Sequence, residues 1–200
     1  MSIEHRVQLV EKLFHQLEQE SVRFQKKSGL NCASGCGKCC TYSDIEASPL
    51  EFLPWAFHLF LNSKAEETLL MLERKNSPTC FIFKPITLSD KGNCSDYKYR
   101  GLICRLFGYG ANKDKYGNLR LTTCQIIKEG QAENYKTANE AITKGLYVPV
   151  FTDYYMQLNQ IDFQLGNIIL PVNKALKMAL EEVLKYYAYR DFPELLRNCS

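Results

Sequence analysis

Apolar side chains recur at Ile3, Val7, Val10, Leu13, Phe14, Leu17 and Phe24. Steps of three and four place them on one face of a helix, with charged residues on the other. The pattern predicts an amphipathic helix over residues 3–28, closed by Gly29, since glycine readily takes the left-handed conformation that ends helices. Ser48-Pro49-Leu50-Glu51 has the form of a capping box with proline in the first turn. It predicts a helix start before the apolar run that carries Phe52, Trp55, Phe57 and Phe60, side chains read here as core. Pro54 must bend that helix or reset its start. Ser63-Lys64-Ala65-Glu66 reads as a second capping box, opening a helix to about residue 75. Further helices are expected at about 130–144, 151–164 and 172–189. Val172, Leu176, Ala179, Val183, Leu184 and Tyr187 form the apolar stripe of the last one.

Residues 78–127 break this period. Cysteines, aromatics, glycines and basic residues are mixed there. Short strands are expected near 80–83 and 119–127, with turns at Gly92 and at Tyr116-Gly117-Asn118. The predicted architecture is mainly α, a single domain over residues 1–200. It has a cysteine-rich irregular centre over 30–125, a few short strands, and helical flanks at 1–28 and 130–200.

The nine cysteines sharpen this picture. An odd number leaves at least one unpaired in any internal disulfide set. The first twenty residues carry charges throughout and no apolar core of a signal peptide, and no run approaches the roughly 18 apolar residues of a membrane span. A cytoplasmic location is the expectation, and there thiols stay reduced, which disfavours a disulfide scaffold. Net charge is +3, too small to argue for a nucleic-acid or membrane partner. Tyr186, Tyr187 and Tyr189 are compatible with a protein contact surface, but core and packing roles are the stronger reading.

Eight cysteines fall in one region: Cys32, Cys36, Cys39, Cys40, Cys80, Cys94, Cys104 and Cys124. Cys199, near the C-terminus, is expected to be incidental. Cys36-Gly37-Lys38-Cys39 is a C-x2-C turn, a spacing at which two sulfurs can bind one ion. Cys39 and Cys40 are adjacent, so their side chains are expected to diverge. Cys36 and Cys39 are assigned to one ion or cluster and Cys40 to another. Eight thiols fill two four-thiolate sites, or supply one four-iron cluster with others left over. Between Lys84 and Arg120 stand eight basic residues (Lys84, Lys91, Lys98, Arg100, Arg105, Lys113, Lys115, Arg120) against three acidic ones (Asp90, Asp96, Asp114). Such cations offset the negative charge of a polythiolate centre. Most of these lysines read as solvated surface; Arg100 and Arg105 flank Cys104 and are the candidates to donate hydrogen bonds to sulfur.

The segments "CASGCGKCC", "SPLE", "CFIF" and "CSDYKYRGLICRLFGY" occur in the order that resembles the YkgJ-like cysteine cluster family. The resemblance covers about residues 30–125. It implies zinc or iron chelation, the iron as a 4Fe–4S cluster in one version, by the eight cysteines. Tyr97, Arg100 and Arg105 would be the accompanying polar residues. Cys32 and Cys36 have three residues between them where the family has two, Gly101 replaces a proline, and Phe81-Ile82-Phe83 replaces Pro-Phe-Leu. One relative resembles a flagellin lysine N-methylase, which brings in a methyltransferase as the alternative.

Other chemistries have weaker support. Cys32-x3-Cys36-x2-Cys39 matches the spacing of radical S-adenosylmethionine enzymes, but the strand–helix repeats of their partial barrel are not evident. Gly108-Tyr109-Gly110 lacks the third glycine of a cofactor loop. Thiol exchange beside Lys38 lacks a thioredoxin-like context. His5, His15 and His58 sit in predicted helices far from the cysteines and are not expected as ligands. No acid–base pair or partnered nucleophile is identified, so no catalysis is assigned.

Overall fold

A computed structural model describes residues 1–33, 35–75, 77–86 and 92–193. Cys199 of the cysteine set, and Asp90 and Lys91 of the charge count, lie outside them. The first helix, α1 (Ile3–Ser28), matches its predicted span and ends at Gly29, whose φ of 67° is left-handed. Its buried face is the expected one, from Ile3 through Phe24.

The capping box at Ser48 is present, and Pro54 resets the helix rather than bending it. A 3-10 turn over Pro49–Phe52 gives way to α2 (Leu53–Leu61), with the proline in its first turn, where a missing N–H costs nothing. Before it lies the short strand β1 (Glu46–Ala47). Helix α3 (Ala65–Arg74) also forms, but Ser63 is not its cap. Ser63 instead terminates α2 with a φ of 56°. The Ser63 N–H donates to Phe60 O (3.0 Å) and the Lys64 N–H to Leu59 O (2.8 Å). Those two bonds make a Schellman end, which absorbs the serine that the sequence pattern assigns to the next helix.

The irregular centre holds β2 (Phe83–Pro85) and β3 (Gly92–Cys94), helix α4 (Leu102–Leu106), and β4 (Gly110–Lys113) with β5 (Leu119–Thr122). Gly92 belongs to a strand, opposite Pro85, rather than to a turn. The strand expected at 119–127 stops at Thr122, because Cys124 caps a new helix, α5 (Gln125–Gly130), and accepts the N–H of Lys128. Then follow α6 (Ala132–Thr143), α7 (Phe151–Ile161), α8 (Phe163–Gly166), β6 (Leu170–Pro171) and α9 (Val172–Tyr187). The ladders β1–β6, β2–β3 and β4–β5 are antiparallel pairs. A barrel of strand–helix repeats would need a parallel sheet, and none exists among the described residues. No helix among them is long and apolar enough to cross a membrane.

Two apolar clusters organise the protein. The larger gathers the first five turns of α1, then α2, α7 and α9, around Leu17, Trp55, Tyr154, Leu158 and Leu176. Each such side chain, fully buried, stabilises by roughly 2 kcal/mol. The smaller joins Phe24 and Leu30 to Ala111, Leu121, Ile127, Ala138, Ile142 and Val148. Helix α1 therefore runs through both, and the cysteines lie between them.

Candidate metal centre

All eight cysteines reach one cavity of about 740 Å³. They come from separate places in the fold. Cys32 and Cys36 lie in the loop after α1, and Cys39 and Cys40 on the 3-10 turn Lys38–Thr41. Cys80 begins the turn into β2, Cys94 ends β3, Cys104 lies in α4, and Cys124 caps α5. Phe52 and Ile82 wall the cavity on the side of the larger core, and Ile127 on the side of the smaller.

Backbone sterics shape the loop. Gly37 has a φ of 56°, and a Cβ there would lie 2.4 Å from Gly92 O and 2.7 Å from the Phe83 ring. Only glycine lets the C-x2-C turn lie flat on the β2–β3 hairpin. The Cys40 N–H donates to Gly37 O at 2.9 Å, which closes the turn. Cys39 and Cys40 do not diverge: their sulfurs are 4.0 Å apart. A 3-10 turn sets neighbouring side chains about 120° apart, against the 180° of a strand, which leaves two adjacent sulfurs within reach of each other.

The thiols are electrostatically unequal. Burial pushes Cys80 and Cys104 up, and pushes Cys32 and Cys94 to about 11. The Cys39–Cys40 pair departs from this: the hydrogen bond between the two sulfurs lowers Cys39 to about 6 and raises Cys40. One thiol of the pair thus loses its proton before the others, and the remaining protons must leave as a metal enters.

Arg100 acts on this group through its charge. Its guanidinium lies 3.6 Å above the Tyr97 ring, and it lowers Cys32, Cys39 and Cys94. Arg105 also lines the cavity, but its hydrogen bonds go to Arg100 O (3.0 Å), Lys98 O (2.5 Å) and Glu18 Oε2 (2.7 Å), with no sulfur among these acceptors. Its guanidinium stacks on Phe14, and burial lowers its pKa. Lys113, Lys115 and Arg120 project as exposed side chains from the β4–β5 hairpin, Arg120 toward Asp114, so that part of the basic surplus is solvated surface. His5, His15 and His58 are exposed and do not line the cavity.

The donor chemistry suits soft metals. Thiols line the wall, and Glu18, a carboxylate there, is paired with Arg105. Thiolate ligands select zinc, Cu(I) or iron–sulfur centres over magnesium or calcium. As the side chains stand, no three His, Cys, Asp or Glu groups among the described residues are close enough to hold an ion.

Residues 31–139 match the CxxCxxCC family, described as "Putative zinc- or iron-chelating domain". The chain belongs to the CxxCxxCC family. No curated protein and no solved structure matches it.

The CxxCxxCC match extends beyond residue 125, and the structure gives that extension a role. Gln131, between α5 and α6, accepts the Asn31 N–H at 3.0 Å and donates to Asn31 O at 2.6 Å. Asn134 donates to Gly29 O at 3.1 Å. Tyr109, in the Gly108–Gly110 segment, accepts the Cys32 N–H at 2.7 Å. The root of the cysteine loop is thereby fastened to the smaller core. Gln131 and Asn134 did not stand out in the sequence, because a polar residue at a helix end has no distinctive pattern, and Tyr109 stood out only as the middle of Gly-Tyr-Gly.

Asn173, in the first turn of α9, holds the Cys80 turn in the same way. Its Oδ1 accepts the Phe81 N–H at 2.7 Å, and its Nδ2 donates to Ser77 O and Thr79 O at 3.0 and 2.9 Å. Replacing Asn173 by alanine is expected to cost about 2 kcal/mol in urea unfolding, because three partly buried backbone groups lose their partner. Asn173→Asp should cost more: it keeps the acceptor but points a carboxylate at two carbonyl oxygens. Equal stability of all three proteins would show that the turn does not depend on this amide.

Proposed function

We propose that the protein is a metal chelator whose eight convergent thiols hold zinc or iron as a polythiolate centre between the two cores. The observation that carries this reading is the convergence itself. Eight cysteines spread over 93 positions of the chain, from Cys32 to Cys124, line one cavity in a member of a family described by chelation. When bound, the metal supplies crosslinks between segments that share few other contacts. The protein's own residues supply the rest. Gly37 shapes the turn, Asn173 and Gln131 fasten its neighbours, and Arg100 offsets negative charge as the thiols lose protons.

The test is metal content with an ultraviolet–visible spectrum, on protein purified without oxygen and without added metal. About two zinc per chain and no visible absorption is the result for closed four-thiolate zinc sites. Iron with sulfide and a brown chromophore is the result for an iron–sulfur centre. Protein that holds no metal under either regime, and takes up none when zinc or iron is added, overturns the proposal.

A further inference from the structure

Helix α1 passes the cysteines between Leu17, in the larger core, and Phe24, in the smaller. The apolar period that links those two positions runs through residue 21, and the residue there is serine. Inside a helix a serine hydroxyl adds nothing to the backbone ladder and competes with it. Ser21 is nonetheless buried, only 7% exposed.

One face of α1 forms part of the cavity wall, through Glu18, Ser21, Val22 and Gln25. The Glu18 carboxylate is paired with Arg105. The other polar residues on the buried face of α1 also have partners: Arg6 pairs with Asp162 and Glu182, and Ser28 Oγ donates to Gln25 O at 3.4 Å. Ser21 Oγ has none. Of the buried side-chain oxygens and nitrogens without a partner among the described residues, it alone belongs to a residue lining the cavity. An unpaired buried hydroxyl is costly, so its acceptor is expected to come from the cavity side.

We infer that Ser21 is a positioning residue of the metal centre: its hydroxyl donates to a sulfur of the loaded site, either a cysteine thiolate or a cluster sulfide. This deepens the chelating reading and rests on it. A thiol is a weak acceptor, whereas a charged thiolate is a strong one. The hydroxyl therefore gains a partner only as metal displaces the thiol protons. Ser21 takes the sulfur-directed role that sequence proximity suggested for Arg105, whose own donors go to carbonyls and to Glu18. A donor of this kind fixes the orientation of the sulfur it bonds and tunes the metal.

The experiment compares full-length wild type, Ser21→Ala and Ser21→Thr, with and without metal. Metal-free Ser21→Ala should unfold in urea at the wild-type midpoint or above it, because an unpaired hydroxyl is removed and alanine is the better helix former. The same variant should bind zinc about 10–100-fold more weakly in competition with a chelator. Ser21→Thr keeps the hydroxyl and should restore the affinity. Where the centre is an iron–sulfur cluster, the readout is its reduction potential. Ser21→Ala should lower it and Ser21→Thr restore it, since a donor to sulfur favours the more negative, reduced state. An alanine variant equal to wild type in zinc affinity, or in potential where the centre is iron, would overturn the inference. So would one that loses stability or folding without metal, because the hydroxyl would then be bonded within the fold. Wild-type protein that takes up neither zinc nor iron would instead overturn the chelating reading, which separates the two failures.

Discussion

Stripping the metal with a chelator under reducing conditions is expected to unfold the cysteine centre and leave the larger core partly standing. A structural zinc contributes on the order of 10 kcal/mol or more. The net stability of a whole domain is about 5–15 kcal/mol. Loss of even one four-thiolate site therefore removes as much as the fold has in reserve. Where the loss falls follows from the packing. Among the described residues, thirty buried side chains make the larger core, with α2 and α7 packed on α1 and α9 packed on α2. Eight make the smaller. The loop after α1, the β2–β3 hairpin and the α5–α6 segment have short elements and little apolar burial of their own, so they depend on whatever binds their sulfurs. Hydrogen exchange on apo and loaded protein is the measurement. Protection should collapse over residues 35–46 and in β2, β3 and α5, and persist in α2 and α9. Identical melting and identical exchange with and without metal would show that the thiols do not hold the centre together.

The sequence carried the helices well where one physical signal dominated. The period of Ile3 to Phe24, followed by glycine, is enough for α1, since no competing structure buries that face. The capping box at Ser48 and the reset at Pro54 were legible because backbone sterics act locally. Ser63 shows the limit. The pattern that reads as a cap for α3 is equally good as the end of α2, and the three-residue connection leaves room for only one of these. The candidate site was legible as a set of residue types, because thiols at this density in a chain of this kind have few other uses. Its arrangement was not. The closeness of the Cys39 and Cys40 sulfurs depends on a 3-10 turn that has no sequence period of its own. Arg105, whose neighbour is Cys104 in sequence, gives its hydrogen bonds to carbonyls and to Glu18, across 87 residues. The clamps at Gln131 and Asn173 act across about a hundred residues and depend on tertiary placement alone.

Glu51 is the side chain outside the cysteines whose loss should cost most. It is completely buried. As the fourth residue of the capping box it accepts the Ser48 N–H at 2.8 Å. Its other oxygen accepts the Ile103 N–H at 2.9 Å, at the start of the helix that carries Cys104, and Tyr155 also hydrogen-bonds to it. A Cβ on Gly101 would lie 2.9 Å from Glu51 Oε2, so the chain before α4 is pressed against this carboxylate. Glu51 thus ties the start of α2, α4 and α7 together beneath the thiols. Glu51→Ala leaves three donors without an acceptor, the Ser48 N–H among them buried, and opens a void; on the order of 4 kcal/mol of stability should be lost. Glu51→Gln keeps one acceptor but turns an N–H2 toward a donor, and should lose roughly half as much. The pH dependence separates charge from hydrogen bonding. Burial raises the Glu51 pKa above its usual value despite the bonds it accepts. A raised carboxyl contributes its stability fully below the unfolded pKa of about 4.3, and loses it as pH rises through the folded pKa. The wild type should therefore lead Glu51→Gln by most in acid, and the lead should narrow as pH rises. Urea unfolding of both proteins at matched pH checks this, because a difference taken at one pH removes the acid loss of metal that both share. A lead that widens with pH would mean that the carboxylate is stabilised in place, with its three donors outweighing burial.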